Sequence, residues 1–249
     1  MNDRSKVSIA LICFYLPAEI LAAILLFHRH GRPRMAWIYL AVFSISMDLP
    51  SKISVLVLIM PSPNRLRIGL AIASLILLDA GFFPLVNATV GLLRIIAAND
   101  MKDDPKAKRG YIISRILFIA GIVLIVAGGS LSVSQPKTAL TLTKIGYIIM
   151  LLFVAWLIVC QVYFSRSHDS LSAPSIKILQ GTITAIPFLI VRVTYLLLSV
   201  FHPDHNKWSA LFGDIDAWIV MVLVMEYIVV WLYIGTGYRI PATNSQGGF

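Results

Sequence analysis

Long apolar runs separated by short polar connections organise the chain. A membrane-crossing helix needs about 20 mostly apolar residues, and seven segments reach that length: Val7 to Phe27, Ala36 to Met60, Ile68 to Ile96, Tyr111 to Ser130, Leu142 to Phe164, Ile178 to Phe201 and Ile215 to Ile234. The pattern predicts an all-α polytopic membrane protein, a seven-transmembrane-helix bundle forming a single domain over residues 1–249, with its termini on opposite faces. The second and third runs exceed the required length, which predicts tilt or a kink at Pro50 and Pro84. Met1 to Lys6 leads into the first run without a small-residue cleavage site, so that run reads as a retained span rather than a signal peptide.

Composition strengthens this reading. Of the 249 residues 58% are hydrophobic and 13% charged, and the mean hydropathy is +0.84. Soluble domains carry about 25% charged residues, so lipid and neighbouring helices must solvate most of this chain. Disordered, collagenous and ordinary soluble classes are excluded. The formal net charge is +9, but the basic residues are scattered through connections rather than gathered on one face, which argues against nucleic acid. They report topology instead. One side holds seven (Arg4, Lys6, Arg65, Arg67, Lys137, Lys144, Lys207) and the other ten (Arg29, Arg32, Arg34, Lys102, Lys106, Lys108, Arg109, Arg166, Lys177, Arg239). The richer side is expected to be cytosolic, giving a lumenal N-terminus and a cytosolic C-terminus in the endoplasmic reticulum or another internal membrane. Cys13 and Cys160 lie inside apolar runs, where cysteine behaves as a small hydrophobe. The stretch from Asn99 to Asp104 reads as a solvated mixed-charge connection.

The candidate chemistry lies in polar groups at mid-span. Glu19, Asp48, Lys52, Asp79, Asn87, Arg192 and Glu226 all fall inside apolar runs. An ionised side chain at the bilayer centre costs about 2.5–3.5 kcal/mol, so each must be paired, neutral or facing a cavity. Four acids (Glu19, Asp48, Asp79, Glu226) meet only two deep bases, Lys52 and Arg192, which leaves two carboxyls over. Asp48 and Lys52 are four apart in the acid-first order that suits one helix, with Pro50 between them. Arg192 is expected to meet Glu226 or Glu19, and Arg94 and Arg115 to reach towards the membrane surface. Asp79 has no base among its neighbours, and burial without a counter-charge favours the neutral acid, a proton donor in a dry pocket.

Asp79, Asn87 and Arg94 follow one another at about two helical turns and share a broad face. Gly81, Ala88 and Gly91 allow close helix approach. Phe82, Phe83, Tyr195, Trp218, Tyr227 and Trp231 supply aromatic faces able either to stabilise a cation or to fill gaps. The five histidines fall at span ends, His202 and His205 with Asp204 being the closest approach to a metal set. No phosphate loop or nucleophile elbow occurs. The seventh span contains no lysine, which excludes a retinal Schiff base there, and the Asp-Arg-Tyr and Asn-Pro-x-x-Tyr patterns of common heptahelical receptors are absent. Neither a metal nor a cofactor is expected.

Four blocks carry a family resemblance: Trp37 to Leu40, Ala127 to Gly129, Pro187 to Tyr195, and Met225 to Val230. Over nearly the full length the chain resembles a family of fungal seven-helix integral membrane proteins catalogued as a domain of unknown function. Arg192, Tyr195 and Glu226 resemble that family's polar core. In size and helix count the chain is also similar to fungal membrane-bound terpene cyclases of meroterpenoid pathways, which start cyclisation with carboxylic acids, although their Asn-x-x-Trp-Glu block is missing here. That similarity implies acid-initiated cyclisation of a prenylated, lipid-soluble substrate. Asp79, Asp48, Glu19, Glu226 and Arg192 would form the catalytic set, and Phe82, Phe83, Asn87, Tyr195, Tyr227 and Trp218 would line the substrate. The expected partners are the lipid bilayer and that substrate, with no nucleic acid and no obligatory protein partner. A proton-coupled transporter or lipid exporter using the same acids as a relay is the rival expectation.

Overall fold

The computed structural model describes residues 15–25, 36–43, 82–102, 104–131, 135–167, 171–201 and 218–240. Among these residues the chain is all-helical, with seven helices and no strand: α1 (Tyr15–Ile24), α2 (36–43), α3 (Phe82–Asp100), α4 (Pro105–Leu131), α5 (Pro136–Arg166), α6 (Ala173–Phe201) and α7 (Ile219–Arg239). The last five are long and apolar enough to cross a membrane, which makes this a multi-pass membrane protein. The chain divides into two compact units, Met1–Gly91 with Pro241–Phe249, and Leu92–Ile240.

In the first unit, Tyr15, Ala18, Ala22 and Leu25 form a buried stripe at helical spacing on and just past the end of α1. Ala36, Trp37, Leu40 and Phe43 do the same on α2. Tyr15 meets Phe43 edge-on, with ring centroids 6.0 Å apart. Gly91 on α3 lies against α2 so closely that a Cβ there would stand 2.8 Å from Ala36 Cα. Pro84 is the third residue of α3, and the helix runs on uninterrupted to Asp100. Pro50, the other expected kink, and Gly81 lie outside the described residues.

The second unit is built from antiparallel neighbours joined by short turns. Asp104 starts α4 by accepting the Lys106 N–H on Oδ1 at 2.9 Å, with Pro105 at the first helical position, where its missing N–H costs nothing. Small residues set the α4–α5 distance: a Cβ at Gly121 would stand 2.7 Å from Met150 Sδ, and one at Gly128 2.9 Å from the Ala139 carbonyl oxygen. Nearer the other end, Trp156 Nε1 donates to the Gly110 carbonyl at 3.2 Å. Helix α6 carries Pro187 in its interior, and α7 opens with six π-helical residues, Ile219–Val224, before the α-helical Met225–Arg239. Burial separates interior from periphery. In the most apolar window of α4 only 17% of residues are buried, against 39% in those of α5 and α6, so α4 stands at the lipid-facing edge.

The sequence-based spans place these helices correctly but miss their ends. Helix α4 begins six residues before Tyr111 and α7 ends five residues after Ile234. Lysine, arginine and tyrosine at helix ends continue the helix beyond the hydrocarbon layer, where hydropathy no longer marks it.

Candidate functional site

Arg192 on α6 and Glu226 on α7 form a buried ion pair. Arg192 Nε donates to Glu226 Oε1 at 2.6 Å, and the two side chains are 1% and 0% exposed. The local sequence explains how they meet. The π segment ends one residue before Met225, so the wider turn sets the helical phase of Glu226 immediately after it. On α6, Arg192 follows Pro187 by five residues, on the face shared with the buried Leu189, Val193 and Leu196. Holding two charges in so dry a place requires both partners, because removing either leaves an uncompensated buried ion.

Tyr195 is buried one turn beyond Arg192. Tyr227, next to Glu226, is half-buried and stacks edge-on against Trp231 at 5.9 Å between ring centroids. Trp218 is half-buried at the start of the π segment. These five sequence-predicted residues all belong to the second unit. Glu19, half-buried on α1, belongs to the first unit together with Phe82, which is fully buried, and Phe83 and Asn87, which are half-buried. The Phe82 and Phe83 rings meet at 6.2 Å and 61°. Asp48, Lys52 and Asp79 fall in the first unit's stretch of chain but outside the described residues; Cys13 and all five histidines also lie outside the described residues. Cys160 is half-buried and free. Among the described residues no group of three histidine, cysteine or acidic side chains is placed to hold a metal.

The stretch from Asn99 to Asp104 corrects an expectation. It is a joint between helices rather than a merely solvated turn. Asp100 Oδ2 accepts the Ser172 backbone N–H at 3.1 Å and its hydroxyl at 3.0 Å, tying the end of α3 to the start of α6. Tyr163 on α5 donates its hydroxyl to Asp104 Oδ2 at 2.5 Å. That bond first, and the Lys106 N–H second, hold the Asp104 carboxyl below its ordinary value of 3.8. Asn99, Asp100, Lys102, Asp104, Tyr163 and Ser167 line an open recess of about 510 Å³. Arg94 is exposed, as expected, and stacks over Tyr111, its guanidinium carbon 4.9 Å from the ring centroid. The available signals for the joint were two helix starts, Asp-Pro at 104–105 and Ser-Ala-Pro at 172–174.

A family model described as a domain of unknown function, DUF7702, matches residues 1–243. No curated protein and no solved structure matches the chain.

Proposed function

We propose that this chain, which belongs to the DUF7702 family, is a membrane-embedded cyclase that starts ring closure of a prenylated, lipid-soluble substrate with a neutral carboxylic acid. One observation carries the reading. Glu226 is held by Arg192 within the second unit. Of the four deep acids, Glu19, Asp48 and Asp79 therefore remain, all in the first unit's stretch of chain, with Lys52 as the deep base beside them in sequence. Carboxyls in excess of cations inside a membrane favour the protonated form. Asp79 or Asp48 protonates an epoxide or terminal alkene, and the carbocation is steered by aromatic faces such as Phe82 and Phe83. A second carboxylate, Glu19 among the candidates, removes a proton at the end, so the product is an isomer of the substrate. Arg192 and Glu226 serve as a clasp that positions their helices. A meroterpenoid pathway of fungal secondary metabolism is the setting this chemistry suits.

The rival reading is a proton-coupled transporter or exporter. The feature favouring it is local irregularity near the ion pair, an interior Pro187 in the continuous α6 and a π segment at the start of α7, since π segments frequently mark functional sites. Membranes containing the protein, incubated with an epoxidised prenyl phenol, separate the two. A new isomer of equal mass supports the cyclase, whereas passage of unchanged compound across vesicles supports transport.

We place the end of the second unit where α3, α5 and α7 finish on the cytosolic side. Nine exposed cations cluster there, from Arg94 and Lys102 to Lys177 and Arg239, whereas Lys137 and Lys144 mark the opposite end. An internal membrane such as the endoplasmic reticulum, with a lumenal N-terminus, fits that placement, and glycosylation tags at either terminus test it.

A further inference from the structure

The outward face of α4 carries chemistry that the proposed reaction does not use. Its buried positions, Ala107, Ser114, Gly121 and Gly128, recur every seven residues and define the side packed against the rest of the unit. Opposite them runs a stripe of exposed residues, Ile112, Ile116, Ile119, Val123 and Val126, between 49% and 62% exposed. The stripe spans about 21 Å of helix at 1.5 Å per residue, longer than the hydrocarbon half of one leaflet, about 15 Å. At its head stand Lys108 and Arg109, and Arg115 lies on the same face one to two turns deeper; all three are exposed.

Nothing among the described residues neutralises these cations. Helices α4, α5 and α6 contain no acidic residue at all. The nearest acid in sequence, Asp104, is occupied by the Tyr163 hydroxyl and the Lys106 N–H. An arginine as deep as Arg115 on a lipid-facing surface reaches upward to anionic oxygen.

We infer that this face is a binding site for an anionic phospholipid, whose phosphate is held by Lys108, Arg109 and Arg115 while an acyl chain lies along the isoleucine and valine stripe. Charge complementarity selects the occupant: a second copy of this chain would set the same three cations against one another, whereas a phosphodiester neutralises them. Arginine also matches phosphate oxygens in a fork geometry, and an anionic headgroup, unlike a zwitterionic one, leaves net negative charge to meet the three cations.

The test uses the full chain reconstituted in phosphatidylcholine bilayers, with spin-labelled phosphatidylserine or phosphatidylcholine as probe and the motionally restricted lipid fraction as readout. The wild type should hold the anionic probe several-fold more strongly than the zwitterionic one. The preference should fall stepwise as each cation is neutralised, by at most about fivefold per step, so that Lys108→Gln/Arg109→Gln/Arg115→Gln holds both probes alike. Lys137→Gln, at the other end of the bundle, should retain the full preference. Equal retention by the wild type, or an unchanged preference in the triple variant, overturns the site. So does displacement of the probe by excess inorganic phosphate, which would mark a soluble-anion site, or efficient disulfide dimerisation of Ile119→Cys in the same bilayers, which would show a second copy covering the stripe.

Discussion

Arg192 Nε on α6 donates to Glu226 Oε1 on α7 across 2.6 Å, with both side chains sealed from solvent. Each charge offsets part of the cost of burying the other. Arg192→Met or Glu226→Gln alone should therefore lower stability by about 3–5 kcal/mol, whereas Arg192→Met with Glu226→Leu should cost much less than the sum. Unfolding of the detergent-solubilised single and double variants measures the coupling, and additive losses would show that the pair does not act as a unit.

Glycine placement makes a second, sharper prediction. At Gly91 an added Cβ would stand 2.8 Å from the Ala36 Cα, a backbone atom that cannot swing aside. Gly91→Ala should destabilise by about 1–3 kcal/mol. Gly235 on α7 has open space around it, so Gly235→Ala should be neutral, or stabilising by up to about 1 kcal/mol through helix propensity. Thermal midpoints of the two variants should move apart, Gly91→Ala down and Gly235→Ala level or up.

Asp104 ties stability to acid. Its carboxyl is held below 3.8 by the Tyr163 hydroxyl and the Lys106 N–H. A depressed folded value means that the contribution is complete above 3.8 and is lost as pH falls from there through the folded value. Stability followed by tryptophan fluorescence on acidification should show this loss in the wild type. It should be absent in Asp104→Asn and shifted up towards 3.8 in Tyr163→Phe.

How far the sequence alone reaches depends on the kind of signal. Helices α4 to α7 stood out as apolar runs, because hydropathy is a local property. The choice of Glu226 rather than Glu19 as the partner of Arg192 was beyond it. That choice depends on helical phase, and the π segment that sets the phase, Ile219–Val224, is written in residues indistinguishable from any apolar helix. The turn at Asn99 to Asp104 was misread for a related reason. The partners of its carboxylates, Ser172 and Tyr163, lie 72 and 59 residues away, and nothing local distinguishes an acid in water from one closing a joint. The division of the deep acids between two units also became visible only with the contacts in hand.

Asp79 is the first candidate for the acid that would start cyclisation. Membranes carrying Asp79→Asn at the wild-type protein level, supplied with the epoxidised prenyl phenol, should form the isomeric product at least about 100-fold more slowly, the loss expected when a general acid is removed. Isomer formation at the wild-type rate in that variant would contradict the assignment outright.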